Sequence, residues 1–160
     1  MKIATLVFPV REKEILLGLK QGGPEIGAGK LNGPGGKKEL IDKNVFDCAA
    51  RETLEEIGIE LDPEATEKVA IITFRIGNTI FQKVHIYLST RWKGEPHTTK
   101  SMIPYWFGSS NLPLERMHES DRAWLPRLIR GEKFCLDVYY REPGRGFLGM
   151  GLFLPFVDEE

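Results

Sequence analysis

The chain has 160 residues, a formal net charge of −1, 41% hydrophobic residues and 28% charged residues. This balance is typical of a globular protein, and we expect residues 1–160 to form one domain around one hydrophobic core. A net charge near zero provides no general attraction to duplex nucleic acid or to a membrane surface, so we expect neither as a partner.

The predicted elements alternate strands with one long helix and a few helical turns. In chain order they are strands over residues 2–10 and 14–20, a loop over 21–30, a helix from Asn44 to Gly58, strands over 67–76 and 79–90, a loop over 93–104, a short strand over 105–107, helical turns over 111–130 with breaks at Pro113 and Pro126, and strands over 132–140 and 145–157. This alternation predicts an α/β protein of the α+β type, a sheet-rich sandwich with helices on its faces.

The sequence shows no sign of a membrane or secreted protein. It contains neither a signal-peptide pattern nor an apolar run of about 18 residues. Its two cysteines, Cys48 and Cys135, have no metal-site or disulfide-framework spacing. We therefore expect two buried thiols and a cytoplasmic protein, and we favour a monomer.

Three glutamates of the predicted helix share one face. Because a helix turns by about 100° per residue, Glu52, Glu55 and Glu56 project within roughly 100° of one another. We expect the helix to dock on the opposite, apolar arc with its acids toward solvent. That arc consists of Phe46, Ala50, Thr53, Leu54 and Ile57.

The clustered carboxylates repel one another at this spacing, so a cation is needed to compensate them. Mg²⁺ prefers carboxylate oxygens and often bridges to phosphates, and Mn²⁺ is a possible substitute. We expect Arg51 to pair with Glu55, which leaves Glu52 and Glu56 free to coordinate. The three glutamates alone are equally compatible with an ordinary solvated acidic face.

The residues before the helix favour a phosphate site. Gly33, Gly35 and Gly36 allow a backbone to approach a ligand closely, and the N–H groups of such turns bind anions. The glycine-rich loop over 21–30 is different, because Lys30 is followed by Leu31 and the spacing of a phosphate-binding loop is absent.

The segment from Gly36 to Ile59 resembles the signature of the Nudix hydrolases, G-x5-E-x7-R-E-U-x-E-E-x-G-U, in which U is a bulky apolar residue. Its second half fits, whereas Asp42 replaces the first glutamate and one additional residue separates it from Arg51. The resemblance implies an α/β/α sandwich with a mixed sheet. It also implies a metal site formed by Gly36, Glu52, Glu55 and Glu56. The catalytic residues that it implies are Arg51 and the same three glutamates.

Further matches point to the MutT-homologue branch of this family, whose members hydrolyse oxidised purine nucleoside triphosphates. The matching segments are Thr5–Val7, Leu16–Lys20, Gly27–Gly33, Tyr105–Phe107 and Trp124–Pro126. The resemblance implies Mg²⁺-dependent conversion of a nucleotide such as 8-oxo-dGTP to the monophosphate and pyrophosphate, a nucleotide-pool sanitation role linked to DNA repair. It places Thr5, Lys20, Asn32 and Phe74 in a base pocket, although a core Phe, a turn-forming Asn and a solvated Lys remain alternatives.

Two departures from this branch affect substrate choice and catalysis. Aligned on Trp124, its stacking tryptophan and paired aspartates correspond here to His118, Ser120 and Asp121, so we expect His118 and Asp121 to bind substrate but do not carry over the base preference. Asp121 could alternatively cap the following helix. In addition, the loop over residues 98–101 lacks the acid that many family members place before Tyr105.

These departures leave other functions open. One is a Nudix pyrophosphohydrolase that acts on RNA 5′ ends or nucleotide sugars. Another is a catalytically weakened regulator that binds nucleotides. A purely structural domain would leave the acidic helix face and its glycine loop unexplained.

Overall fold

The computed structural model describes residues 1–22 and 29–159, which form twelve strands and two α-helices. The strands are β1 (Lys2–Arg11), β2 (Glu14–Lys20), β3 (Leu31–Asn32), β4 (Gly35–Lys37), β5 (Glu60–Leu61), β6 (Thr66–Ile76), β7 (Thr79–Ser89), β8 (Trp92–Lys93), β9 (Met102–Gly108), β10 (Phe134–Glu142), β11 (Arg145–Met150) and β12 (Leu154–Pro155). The helices are α1 (Val45–Ile57) and α2 (Asp121–Ile129).

A mixed sheet organises the fold. Its main order is β11-β10-β6-β7-β1-β2-β3, and β12, β4 and β9 add to β10, β1 and β2 respectively. Strand β1 runs parallel to β7, and β10 runs parallel to β6, whereas the other pairs in this sheet are antiparallel. The predicted mixed sheet is thus confirmed.

The two helices cover opposite faces of this sheet. Neighbouring residues of β1 show the division, because successive strand side chains point to opposite faces: Val7 packs in the cluster with α1, and Phe8 in the cluster with Trp124 of α2. Among the described residues most of the buried apolar side chains belong to these two clusters, so the expectation of one core is wrong. A sandwich buries both sheet faces and therefore needs an apolar layer on each. The predicted α/β/α sandwich is confirmed.

Several predicted boundaries are confirmed and three are wrong. The hairpins β1–β2 and β6–β7 lie where the sequence placed them. Helix α2 continues through Pro126, which removes one backbone donor while Trp124, Leu125 and Leu128 hold the helix on the sheet. The strand over 145–157 is divided into β11 and β12, and β9 begins at Met102, inside the predicted loop. Most of the predicted loop over 21–30 lies outside the described residues.

Both cysteines carry free thiols, but only one is buried. Cys48 is a buried residue of α1, as predicted. Cys135 is partly exposed, because it points to the face of β10 opposite the buried Phe134 and Leu136. In the part of the chain that the structure describes, no helix is long and apolar enough to cross a membrane.

Candidate active site

Helix α1 begins and ends as its sequence predicts. The Asn44 side chain accepts a hydrogen bond from the backbone N–H of Asp47 at 2.8 Å, which caps the first turn. Gly58 follows the last turn in the left-handed conformation with φ of 77°, and its N–H donates to the Leu54 carbonyl. These two residues fix the register of the glutamates between them.

The face of α1 that packs on the sheet differs from the predicted one. Glu56 is buried, Glu52 is largely covered, and Leu54, assigned to the apolar stripe, is 52% exposed. The prediction that the acids point to solvent is therefore wrong for Glu56 and Glu52 and holds only for Glu55. The full set of buried residues is Val45, Cys48, Ala49, Thr53, Glu56 and Ile57.

A backbone donor makes the burial of Glu56 possible. The N–H of Gly35 in β4 donates to Oε1 of Glu56 at 2.7 Å. Burial raises the pKa of Glu56 to about 7, although the Gly35 hydrogen bond and the nearby positive charge of Lys20 favour its ionised form. A carboxyl group with such a pKa can exchange protons near neutral pH.

Gly36 lies directly against the carboxylate of Glu52. A Cβ atom at this position would stand 2.5 Å from Cδ of Glu52, so any larger residue would push the Glu52 carboxylate away from its present position. Burial raises the pKa of Glu52, while the hydrogen bond from Arg51 at 2.9 Å opposes that shift. The glycine loop and two carboxylates of α1 therefore form one packed unit.

Arg51 connects the loop before α1 to the helix. Its Nε and Nη2 donate to Oδ1 and Oδ2 of Asp42, both at 2.8 Å, in a bidentate pair. Its Nη1 donates to Glu52 at 2.9 Å and to Glu55 at 3.4 Å. The predicted pairing with Glu55 is present, but it is the longest of these contacts. The replaced acid of the motif, Asp42, is the main partner and orders the loop.

This pairing should make stability depend on acid pH. The hydrogen bonds from Arg51 hold the pKa of Asp42 at about 2, below its ordinary value, so its stabilisation is present above about pH 4 and is lost as the pH falls toward 2. We expect a loss of about 1 kcal/mol between pH 7 and pH 3, because at pH 3 the unfolded carboxyl group is mostly protonated while the native one is still mostly ionised. Urea unfolding at pH 7 and pH 3 should show Asp42→Asn less stable than the wild type at pH 7 and less sensitive to acid. Equal acid sensitivity of the two proteins would contradict this role.

One cleft of about 860 Å³ collects the predicted site residues. Arg51 is the exception among them and does not line the cleft. The residues that line it are Thr5, Lys20, Asn32, Gly36, Glu52, Glu55, Glu56, Phe74, His118 and Asp121. The cleft thus joins the glutamates of α1 to the polar residues that precede and begin α2.

The four residues predicted to line a base pocket differ in their surroundings. Lys20 ends β2 and lines the cleft. Phe74 is partly buried, with its ring centroid 6.1 Å from that of Tyr140. Asn32 uses Oδ1 to accept the Gly33 N–H at 2.8 Å, so it both shapes the turn and lines the cleft. The Thr5 hydroxyl lies 3.5 Å from Sγ of Cys48 under α1, which gives Thr5 a packing role.

A buried polar group lies at the α2 end of the cleft. Asp121 is 3% exposed, and burial raises its pKa to about 7, against the effect of the Ser120 hydrogen bond. Its Oδ2 and the indole Nε1 of Trp124 are both buried without a full hydrogen bond among the described residues, and the Trp124 indole also favours the ionised form of Asp121, which opposes the rise in its pKa. No side-chain capping bond forms at this end of α2, which argues against the cap alternative for Asp121. Burial lowers the pKa of His118 and so favours its neutral imidazole.

The loop that lacks an acid is held against α1. The Thr99 hydroxyl donates to the backbone carbonyl of Glu56 at 2.7 Å, and the Gln21 side chain donates to the Thr99 carbonyl at 2.9 Å. Lys100 and Ser101 line the cleft beside these contacts. This part of the wall therefore presents an ammonium and a hydroxyl group in place of a carboxylate.

The donor set is chemically suitable for a hard divalent cation. Carboxylates and backbone carbonyls are the ligands that Mg²⁺ prefers, and Glu52 already packs against Gly36. Within residues 1–22 and 29–159, however, no three carboxylate, imidazole or thiol side chains converge in a metal-binding arrangement. The glutamates are instead hydrogen-bonded to Gly35 and Arg51.

Sequence reasoning missed Tyr140 and Lys2 on the cleft wall. Tyr140 lies in β10, where the alternate residues Leu136 and Val138 are buried, and this alternation was the available signal. Lys2 gave no such signal, because only the pairing of β1 with β4 and β7 brings it to the cleft.

Comparisons with known proteins agree with this arrangement. Residues 1–128 match the family model of the NUDIX domain. The chain is 37% identical over 134 residues to a zebrafish (Danio rerio) protein named oxidized purine nucleoside triphosphate hydrolase, with 83% of each chain covered.

Solved structures show the same fold. A MutT protein from Bacillus halodurans has a TM-score of 0.76 at 20% identity, covering 94% of this chain and 97% of that one. A MutT NUDIX hydrolase from Burkholderia pseudomallei has a TM-score of 0.64 at 24% identity, covering 82% of this chain and 96% of that one.

Proposed function

Since this chain belongs to the NUDIX family and is a hydrolase, we propose that it converts oxidised purine nucleoside triphosphates, such as 8-oxo-dGTP, to the monophosphate and pyrophosphate. The observation that carries the proposal is that one cleft joins Glu52 and Glu56 to the carboxyl group of Asp121, which is buried. One end suits a phosphate chain with its cation, and the other suits a polar base edge. The name of the zebrafish relative supports the same substrate class.

In this proposal the carboxylates of Glu52, Glu55 and Glu56 and the carbonyl of Gly36 would hold Mg²⁺, with Mn²⁺ as a possible substitute. When bound, the cation would supply positive charge for the phosphate oxygens and lower the pKa of a water molecule. Arg51 acts indirectly, because its contacts with Asp42 and Glu52 position the loop and the helix.

Side chains of the protein itself accept the proton and bind the substrate. Glu56 accepts the proton of the attacking water through the oxygen that Gly35 does not occupy. Lys20 lies close enough to influence the charge of Glu56 and faces the phosphate chain. Phe74 and the neutral His118 pack on the base, with Asn32 and Asp121 at its polar edge. Thr5 supports this wall from beneath through Cys48.

We further propose a single domain over residues 1–160 that acts as a monomer on small nucleotides in the cytoplasm and sanitises the nucleotide pool for DNA replication and repair. The free thiols of Cys48 and Cys135 suit a reducing compartment.

The test is a substrate panel with Mg²⁺ that measures pyrophosphate and phosphate separately. The panel contains oxidised and ordinary purine nucleoside triphosphates, a nucleotide sugar and an RNA with a 5′ triphosphate. We expect pyrophosphate release to be fastest with the oxidised purines. Preferential hydrolysis of the RNA or the nucleotide sugar would replace this substrate class with another.

One observation favours a second candidate, a nucleotide-binding regulator with little turnover. The wall at Lys100 and Ser101 offers no carboxylate, and the glutamates are engaged by the protein itself. Tight nucleotide binding without product release from any member of the panel would establish this alternative.

Asp121→Asn should weaken substrate binding more than turnover. The amide keeps the size of the side chain but cannot become an anion, so the base edge loses a charged acceptor. We expect KM for 8-oxo-dGTP to rise about tenfold while kcat changes less than about threefold, as for the loss of one charged hydrogen bond. Steady-state kinetics measures both, with Asp158→Asn on the exposed C-terminal segment as control. An unchanged KM would remove Asp121 from the binding site.

A further inference from the structure

A second, smaller cavity adjoins the cleft beside His118. This side cavity has a volume of about 240 Å³, and His118 and Tyr140 line both spaces. Its charged lining residues come from the residue before β3, from the segment around the start of α2 and from the hairpin between β10 and β11, so only the folded chain brings them together. They are Lys30, Glu119, Arg122 and Arg145.

The side cavity carries an excess of positive charge. Lys30, Arg122 and Arg145 are three cations, and Glu119 is the one carboxylate on its wall among the described residues. None of the three cations forms an ion pair with a described residue. Burial lowers the pKa of His118, and the positive charge of Lys30 lowers it further, so the charge of Lys30 acts on the wall that the two cavities share.

Backbone carbonyls hold the Arg122 side chain beside the side cavity. Its Nη2 donates to the carbonyl oxygens of Glu115 and Met117, both at 3.4 Å. No other described residue accepts its Nε and Nη1 hydrogens, and the planar guanidinium group matches the oxygens of a phosphate. Met117 and Tyr140 close the inner wall, since both are buried. A ligand would therefore meet a closed inner wall and a positively charged rim.

We propose that the side cavity is a binding site for a phosphate or pyrophosphate ion, held by Lys30, Arg122 and Arg145. A phosphate group combines negative charge with several acceptor oxygens, and so supplies the partner that the three cations lack. The volume of about 240 Å³ suits a small ion, because pockets that enclose drug-sized ligands begin at about 300 Å³. The site goes beyond the proposed function, because none of its charged residues lines the cleft.

Glu119 gives the proposal a second prediction of opposite sign. Its carboxylate repels an anion in the side cavity, so the removal of its charge should strengthen binding. The removal of an arginine charge should weaken binding. A general disturbance of this end of the fold would weaken binding in both cases.

NMR locates the bound ion and measures its affinity. The metal-free protein is titrated with inorganic phosphate and, separately, with pyrophosphate at neutral pH and constant ionic strength. The ring signals of His118 report on the shared wall, whereas the other two histidines, His85 and His97, line neither cavity. The concentration dependence of the His118 signals gives Kd for this location.

Charge-matched variants separate the site from a general effect of charge. The double variant Arg122→Gln/Arg145→Gln removes two cations from the side cavity. Its control, Arg116→Gln/Arg141→Gln, removes two exposed cations of neighbouring segments that line neither cavity. Glu119→Gln tests the opposite sign. Thermal unfolding verifies that each variant is folded.

We expect the wild type to bind phosphate with a Kd of about 1 mM. The double variant should weaken binding at least about tenfold, Glu119→Gln should strengthen it about threefold, and the control should stay within about twofold of the wild type. Tighter binding of pyrophosphate than of phosphate would identify the product of the proposed reaction as the ligand. Equal or weaker binding of pyrophosphate would assign the site to inorganic phosphate.

Several results would overturn the inference. These are His118 signals that do not saturate below about 20 mM of either ion, an unchanged Kd in the double variant, equal weakening in its control, or weaker binding by Glu119→Gln. Hydrolysis fails separately. A protein that binds the ion as expected but releases no pyrophosphate from 8-oxo-dGTP would refute the proposed function and leave this site intact.

Discussion

Replacement of Glu56 by glutamine should lower kcat roughly 10³-fold, because it removes a charge needed for the cation and a base for the attacking water. The fold should survive, since the glutamine carbonyl can still accept the Gly35 N–H that now bonds Oε1 at 2.7 Å. Loss of a buried carboxylate even removes an unfavourable desolvation, so the melting temperature should not fall. The measurement is kcat for 8-oxo-dGTP at saturating Mg²⁺, together with thermal unfolding.

The matched control for this variant is Glu60→Gln. Glu60 follows the same helix but is exposed and lies outside the cleft. It should retain the wild-type kcat and the wild-type dependence on Mg²⁺. Near-native turnover by Glu56→Gln, with an unchanged response to the metal, would remove Glu56 from the catalytic set.

Substitution of Gly35 by alanine should be the second severe change. A Cβ atom at Gly35 would stand 1.9 Å from the carbonyl oxygen of Thr5, a backbone atom that cannot turn away. Strand β4 must then separate from β1, and the N–H that supports Glu56 moves with it. We expect kcat/KM to fall roughly 100-fold and the free energy of unfolding to fall by about 3 kcal/mol.

Gly108→Ala is the control for this second change. A Cβ atom there has no neighbour within 4 Å, and this glycine needs no left-handed backbone. Urea unfolding and steady-state kinetics on both variants separate the steric effect at Gly35 from the general cost of replacing a glycine. If Gly35→Ala kept its activity and stability, the close packing of β4 on β1 would not be needed for the site.

The parts of the site that depend on neighbouring residues could be predicted from the sequence. Asn44 and Gly58 mark the ends of α1 through local hydrogen bonds, and the spacing of Glu52 and Glu56 places both on one side of that helix. Asp42 could be identified as the acid of the glycine loop because its distance from Arg51 departs from the motif by only one residue.

The direction in which that helix faces could not be predicted in the same way. Hydrophobic periodicity treats a glutamate as a surface residue, so it predicted a buried Leu54 and an exposed Glu56. The buried position of Glu56 depends on the Gly35 N–H, a donor that lies 21 residues earlier in the chain and is positioned by β4. A local sequence pattern cannot predict a hydrogen-bond partner that is so distant in the chain.

Tyr140 shows the same limit at the other end of the cleft. Its strand could be predicted, but its hydrogen bond to Ser120 joins residues 20 positions apart through the packing of β10 beside α2. Pro126 shows the opposite error, since a strong local signal for a break is overruled by the burial of Trp124 and Leu128. In both cases tertiary packing decides the outcome.

The most direct test of the proposed function is pyrophosphate release from 8-oxo-dGTP, measured side by side for the wild type and Glu56→Gln with and without Mg²⁺. We expect stoichiometric 8-oxo-dGMP and pyrophosphate from the wild type only when Mg²⁺ is present, and roughly 10³-fold slower release from the variant. Absence of pyrophosphate from the wild type with Mg²⁺, or equal release by both proteins, would contradict the proposal that this cleft hydrolyses oxidised purine nucleoside triphosphates through Glu56.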